Sequence, residues 1–312
     1  MKKAFGPIKV YMSAIAGLLA IIGIIIGSFL DKQIATALYN GIGNNWWSTV
    51  VEYAGTLPTA VIIGGSSLLL FFYFKDRPEM KHSKLFMYLF PILIILIAGI
   101  YYGFDTFHRH KELGALAKAY VYMPLGIVAV ALLEIPVYFF MRNGDSSDYL
   151  RKALIMIIAL LVITAVTFGI KYLNSRPRYM WIAEIDRLDL YRDWFQFQVG
   201  KSMYKELPGY ASFNIQSWPS GHASFSSLST LIICYAACNK KTQGKELFFF
   251  IGACVWSMLV MMARLFDGHH YLSDVSWGFL FTIGFSLLIF FIAYKDRKHK
   301  GANKQDEGLQ QD

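Results

Sequence analysis

Charge is scarce in this sequence. Only 16% of its 312 residues are Asp, Glu, Lys or Arg, against about 25% in a soluble globular domain. Hydrophobic residues supply 55% and the mean hydropathy is +0.41, which excludes an ordinary soluble domain. Cysteine is nearly absent. Cys234, Cys238 and Cys254 all fall inside apolar runs; three is an odd number, and Cys234 and Cys238 have no further ligand nearby. Buried packing therefore explains them better than a disulfide framework or a metal pair. No carboxylate cluster fit for a divalent cation stands in the chain. No basic stripe with aromatic or helical context marks a nucleic-acid binder. A serine hydrolase is disfavoured because no Gly-x-Ser-x-Gly elbow occurs. A transporter is disfavoured because no paired broken helices occupy corresponding halves.

What the chain has instead is long apolar runs near the ~20 residues that a membrane-spanning helix needs. Eight are read, at roughly 8–30, 57–74, 85–103, 119–140, 153–170, 223–238, 247–263 and 275–294. The expected fold is an all-α, polytopic transmembrane helix bundle of about eight spans, with a six-span core as the alternative. The first run contains Gly17, Gly23 and Gly27, has no small-residue cleavage site before Asp31, and reads as a retained helix. Residues 1–294 are expected to form a single membrane domain and 295–312 a polar, disordered cytoplasmic tail.

Basic residues set the orientation. With the N-terminus inside, cytoplasmic segments hold eighteen, among them Lys75, Arg77, Arg142, Lys240 and Arg297, and the short outer loops hold five: Lys32, Arg109, Lys111, Lys118 and Arg264. The positive-inside rule then puts both termini in the cytoplasm. The net charge of +9 is mostly this orientation signal. Seven further cations lie between 171 and 205, in a long loop that the rule governs weakly.

Three polar clusters come out on the same, external face. KYLNSRPR (Lys171–Arg178) places three cations in eight residues. Pro177 disfavours helix at Arg176, so the chain leaves the helix there. Snorkelling to the headgroups is the default reading of such cations taken alone, whereas a phosphate clamp would use the arginine fork and the lysine point charge. In WPSGH (Trp218–His222), Ser220 and the Gly221 amide offer donors to an oxyanion at the mouth of a helix, and His222 could protonate a leaving oxygen. A capping serine beside a surface histidine is the plainer reading. In ARLFDGHHYLSD (Ala263–Asp274), His270 and Asp274 are four apart and share a helix face. The carboxylate would fix the imidazole tautomer, while His269, five from Asp274, points elsewhere, and Arg264 could reach the same anion.

The three clusters in this order resemble the type 2 phosphatidic acid phosphatases, which share their motifs with the vanadium haloperoxidases. Lys171 and Arg178 match the first motif, Pro219, Ser220, Gly221 and His222 the second, and Arg264, His270 and Asp274 the third; Tyr179 replaces a proline and Ala263 a serine. The motif-bearing region is 171–274. Five spans precede it, where six-helix members of the family carry three.

The resemblance implies an integral membrane lipid phosphatase with its active site outside the cell membrane and no metal or other cofactor. His270 would form a phosphohistidine, Asp274 would hold its ring and His222 would protonate the leaving group. Lys171, Arg178, Arg264, Ser220 and Gly221 would hold the phosphoryl oxygens, with Arg176 a possible fourth cation. Phosphatidate, phosphatidylglycerol phosphate and polyprenyl diphosphate fit equally; a phosphotransferase passing the group to a lipid or sugar shares the first step. The expected partners are the lipid phosphate and the bilayer, with no nucleic acid. The aromatic-rich loop 179–217 fits a surface lid or a segment packed on its own helices, and Trp46-Trp47 fits an interface anchor. Glu134, inside the fourth run, reads as a satisfied buried acid, with a wall of a lipid path as the alternative.

Overall fold

The computed structural model describes residues 7–41, 46–75, 77, 79, 83–109, 115–198, 204–242 and 244–288. The expected tail at 295–312 and the basic residues Lys2, Lys3, Lys81, Lys111 and Lys201 lie outside them. Among the described residues every regular element is helical, as a chain in hydrocarbon requires when each backbone polar group must find an internal partner. Six helical stretches are long and apolar enough to cross a membrane: Tyr11–Leu38, Trp46–Phe74, Lys84–Phe104, Tyr120–Arg142, Ser146–Leu173 and Glu246–Phe266. They mark the chain as a membrane protein.

The expected runs at 223–238 and 275–294 are not among the six. The first is α8 (Gly221–Ser227), a 3-10 turn at Leu228–Leu231 and α9 (Ile232–Ala236). It carries Ser224, Ser226, Ser227 and Thr230, all buried, so it is enclosed by other helices instead of facing lipid. The described part of the second is a shorter apolar helix, Leu272–Leu288, here α11.

The remaining elements are α1 (Pro7–Leu38), α2 (Trp46–Ala54), α3 (Leu57–Phe74), α4 (Lys84–Arg109), α5 (Ala115–Arg142), α6 (Tyr149–Leu173), α7 (Tyr179–Glu184) and α10 (Glu246–Phe266). α3 runs through the middle and packs against α4, α5 and α6. Leu69, Phe72, Met156, Leu231 and Tyr235 form the main core around it, while Leu93, Leu132, Phe139 and Leu161 remain exposed on outer helices. Cys234 and Cys238 are buried free thiols in that core.

Two small-residue contacts set the geometry. α4 and α5 cross where Gly99 and Gly126 meet; a Cβ on Gly126 would sit 2.4 Å from the Gly99 carbonyl. α1 approaches α11 through Gly23 and Gly27, where a Cβ would come 2.4 Å from Ser276 Oγ and 2.6 Å from the Ser273 amide. Asp31 is one turn further along the same face, which brings a carboxylate from α1 to the start of α11.

The loop after α7 packs on itself. Met180, Trp181, Ile182, Leu190, Tyr204 and Ile215 make a second small core, and Trp194 stacks on Trp218 at 5.8 Å and meets Trp277 at 5.1 Å. Phe195, Phe197 and Phe213 stay exposed.

Candidate active site

The three polar clusters converge at one end of the bundle. Lys171 lies in the last turn of α6, and the chain is already extended at Asn174 (φ −123°, ψ 114°), ahead of Arg176, where Pro177 disfavours helix. Lys171 Nζ donates to the Gln216 carbonyl at 2.7 Å. Arg178 spreads its fork over three carbonyls: Nε to Phe213 at 2.8 Å, Nη1 to His269 at 2.8 Å and Nη2 to Gln216 at 3.3 Å. The Phe213 ring covers this guanidinium at 3.7 Å. Backbone carbonyls thus aim both cations without neutralising them.

α10 stops because Gly268 takes a left-handed conformation (φ 64°), and the His269 and His270 amides return to the Arg264 carbonyl at 3.1 and 3.3 Å. That turn buries His270 at 1% exposure. Its Nε2 lies 3.3 Å from Arg178 Nη1. Its Nδ1 faces Asp274 Oδ2 at 3.7 Å, a little beyond hydrogen-bond range. A guanidinium only donates, so Nε2 presents a lone pair and the ring proton belongs on Nδ1, toward the carboxylate. Burial, and then the Arg178 charge, hold the imidazole well below its ordinary pKa; the ring is neutral.

Asp274 is buried and gathers only donors. Oδ2 accepts from Ser217 Oγ at 2.5 Å and from the Tyr271 amide at 3.0 Å; Oδ1 accepts from Arg176 Nη1 at 2.5 Å. Arg176 is 1% exposed and bridges two helices, its Nη2 meeting Asp31 Oδ2 at 2.9 Å. Nε goes to the Arg192 carbonyl at 2.8 Å, and the Tyr271 ring lies beneath at 4.0 Å. Asp31 also accepts from the Ser273 amide at 3.0 Å and from the Ser273 hydroxyl. Arg176 is therefore engaged by two carboxylates and does not snorkel.

Ser220 is the N-cap of α8, its hydroxyl accepting from the Ala223 amide at 3.3 Å. Its own amide donates to the Asp274 carbonyl at 3.0 Å, which ties the second cluster to the third. α11 fits closely here, since a Cβ on Gly278 would lie 2.4 Å from the Ser220 carbonyl. Gly221 opens α8 beside Lys171: a Cβ there would sit 3.8 Å from Lys171 Cε. His222 follows, half-buried.

Arg264 is in the last turn of α10, buried, with Nη1 2.7 Å from Glu52 Oε1 of α2. Glu52, Asp267 and His269 bring three possible metal-ligand atoms within 4.8 Å of one another. Arg264 already balances Glu52 and Ser48 donates to Asp267 at 2.8 Å, so Glu52 also serves as the mount of Arg264. Asp31 and Glu52 are site residues that no motif contains. The sequence signal for each is only an acid within an apolar run.

In comparison with known proteins, residues 152–298 match the family model described as the PAP2 superfamily. That span takes in all three clusters but neither Asp31 nor Glu52. No curated protein and no solved structure matches the chain.

Proposed function

The chain belongs to the PAP2 superfamily through residues 152–298, and on that premise of phosphatase-type, lipid-related chemistry we propose a metal-independent lipid phosphatase working through a phosphohistidine. The observation that carries this reading is the Arg178 guanidinium 3.3 Å from Nε2 of a buried, neutral His270. An anion drawn to Arg178 would meet the imidazole lone pair. His270 Nε2 attacks phosphorus, the bond to the lipid oxygen breaks, and His222 gives that oxygen a proton. Water then attacks phosphorus with His222 as base, the P–N bond breaks, and inorganic phosphate leaves. Lys171, Arg178, Arg264, Ser220 and the Gly221 amide stabilise the phosphoryl oxygens, where charge spreads in the transition state. Arg176 acts instead on Asp274. The distribution of basic residues supports an extracytoplasmic site with both termini inside.

The test is phosphate release by the detergent-purified protein with EDTA present. Phosphatidate, phosphatidylglycerol phosphate, a polyprenyl diphosphate and a soluble sugar phosphate form the panel, with His270→Ala as control. Release from a lipid, lost in the variant, is expected. Release only after metal is added, or equal release by the variant, overturns the proposal. A phosphorylated protein that releases nothing until an acceptor is supplied identifies a phosphotransferase.

Two further outcomes are expected. The acid limb of kcat/KM should lie below about pH 6.5, the ordinary imidazole value, because burial, and then the Arg178 charge, disfavour the cationic ring. Arg178→Gln removes that repulsion, raises the pKa and moves the limb to higher pH in the remaining activity. A limb that stays put shows that another group titrates. His269→Ala should keep activity within about threefold, since Arg178 and Ser217 use the His269 carbonyl and not its ring. A variant as inactive as His270→Ala would give the ring a direct role.

A further inference from the structure

One oxygen of Asp274 faces three donors and bonds to two. Oδ2 accepts from Ser217 Oγ at 2.5 Å and from the Tyr271 amide at 3.0 Å. His270 Nδ1 stands off at 3.7 Å, and this buried nitrogen has no hydrogen-bond partner among the described residues. A buried donor left unbonded is rare. Here the cause is a competitor, since the Ser217 hydroxyl holds the oxygen toward which the imidazole points.

Ser217 lies two positions before Pro219, outside the residues that match the three motifs. It is fully buried, and its amide donates to the Arg176 carbonyl at 3.0 Å, which fixes its place beside the site. A hydroxyl carries one proton and rotates to suit its acceptors. Two acceptors stand within reach of this one: Asp274 Oδ2, and the His269 carbonyl at 3.4 Å. The shorter contact takes the proton in the resting site. The other groups around the pair are held in place. Burial comes first in keeping the ring neutral, then Arg178 and, more weakly, Lys171. Arg176 occupies Oδ1 and is shared with Asp31, Tyr271 gives its amide to Oδ2 and its ring to Arg176, and Arg264 is paired with Glu52.

We propose that Ser217 is a positioning residue that sets how tightly Asp274 holds His270. Bonded to Oδ2, its hydroxyl keeps the carboxylate off the resting ring; turned to the His269 carbonyl, it yields Oδ2 to a charged ring. The kinetic half of this inference rests on the phosphohistidine reading. When Nε2 bonds to phosphorus and the lipid oxygen leaves, the ring keeps its Nδ1 proton and becomes cationic. A charged donor makes the stronger bond, so Nδ1 displaces the neutral hydroxyl from Oδ2. When water attacks phosphorus and the P–N bond breaks, the electron pair returns to Nε2, the ring is neutral again, and the Ser217 proton swings back. Ser217 thus limits the stability of the intermediate, which has to form and also to break down.

The experiment uses the full chain in detergent and compares the wild type with Ser217→Ala and with Ser217→Cys, which keeps the shape of the side chain but donates weakly. The first readout needs no turnover. It is low-field proton NMR of protein labelled with ¹⁵N-histidine, in which the His270 Nδ1–H signal is the one missing from His270→Ala. With the competitor gone, the carboxylate can bond the ring, so the signal should move downfield in Ser217→Ala and part of the way in Ser217→Cys. The second readout is the intermediate. In Ser217→Ala the acid limb of kcat/KM should rise by about one pH unit, and the phosphoenzyme should accumulate and hydrolyse about tenfold more slowly, the equivalent of one unit of ring basicity. Loss of a merely structural contact would lower the amount of phosphoenzyme instead. An Nδ1–H signal that stays put or moves upfield in Ser217→Ala overturns the proposal, as does a phosphoenzyme that hydrolyses as fast as that of the wild type. A downfield shift in a protein that forms no phosphoenzyme at all upholds the grip of Ser217 on Asp274 and refutes the phosphohistidine reading alone.

Discussion

Replacing His270 with alanine should lower phosphate release by about 10⁴-fold or more, the cost of removing a nucleophile, and leave no phosphorylated enzyme to trap. The argument rests on which nitrogen is free. Arg178 can only donate, and it stands 3.3 Å from Nε2; Asp274 can only accept while ionised, and it faces Nδ1 at 3.7 Å. The two neighbours select one tautomer, with the lone pair beside the cation that would draw in the phosphate. Rapid acid-free quenching with a ³²P-labelled substrate measures the intermediate. It should form in the wild type and be absent from His270→Ala. His222→Ala should also be slow on an alkyl phosphate, but for a different reason. An aryl phosphate, whose leaving oxygen needs no proton, should restore formation of the phosphoenzyme in His222→Ala and not in His270→Ala. Equal recovery in both variants would refute the assignment of roles.

The helical membrane class was legible in the apolar runs, because span length and low charge are properties of contiguous sequence. One of the eight runs, 223–238, is not a single long helix, and for a physical reason. Hydropathy counts Ala, Phe and Leu in 221–236 but does not register that Ser224, Ser226, Ser227 and Thr230 are enclosed by protein, where neighbouring helices replace lipid. That His270 faces Asp274 was likewise legible, since they stand four apart; Arg178, 92 positions before His270, was placed with them only by the family resemblance. Arg176 was not legible. Its role depends on Asp31, 145 positions upstream, and on the glycine contact that brings α1 to α11. Glu52 escaped notice in the same way: its meaning comes from Arg264 on a distant helix. Glu134 was noticed, but its packing against Gly64 of α3 comes from the way the helices meet, which no local pattern encodes.

Asp274→Asn should reduce kcat by about 10³–10⁴-fold with a much smaller change in KM. Each partner of the Asp274 carboxylate is a donor: Ser217 Oγ and the Tyr271 amide on Oδ2, and Arg176 on Oδ1. An asparagine must turn its NH₂ toward one of these sets, so a donor faces a donor. If it faces Arg176, a buried guanidinium loses one of its two carboxylates, and breaking such a pair costs about 3–5 kcal/mol. If it faces the other side, it opposes Ser217, the Tyr271 amide and the Nδ1 proton of His270, and the ring is driven toward the tautomer whose Nε2 has no lone pair to give. Asp31→Asn separates these effects. It weakens the hold on Arg176 and Ser273 but leaves the Asp274 carboxylate facing His270, so its loss should be nearer tenfold, with the trapped phosphoenzyme still forming. Measured side by side, Asp274→Asn should lose the intermediate and Asp31→Asn should retain it, at comparable thermal stability. Should Asp274→Asn stay within tenfold of the wild type, the carboxylate serves only to anchor Arg176, and the orientation of His270 belongs to Arg178 and the Gly268 turn alone.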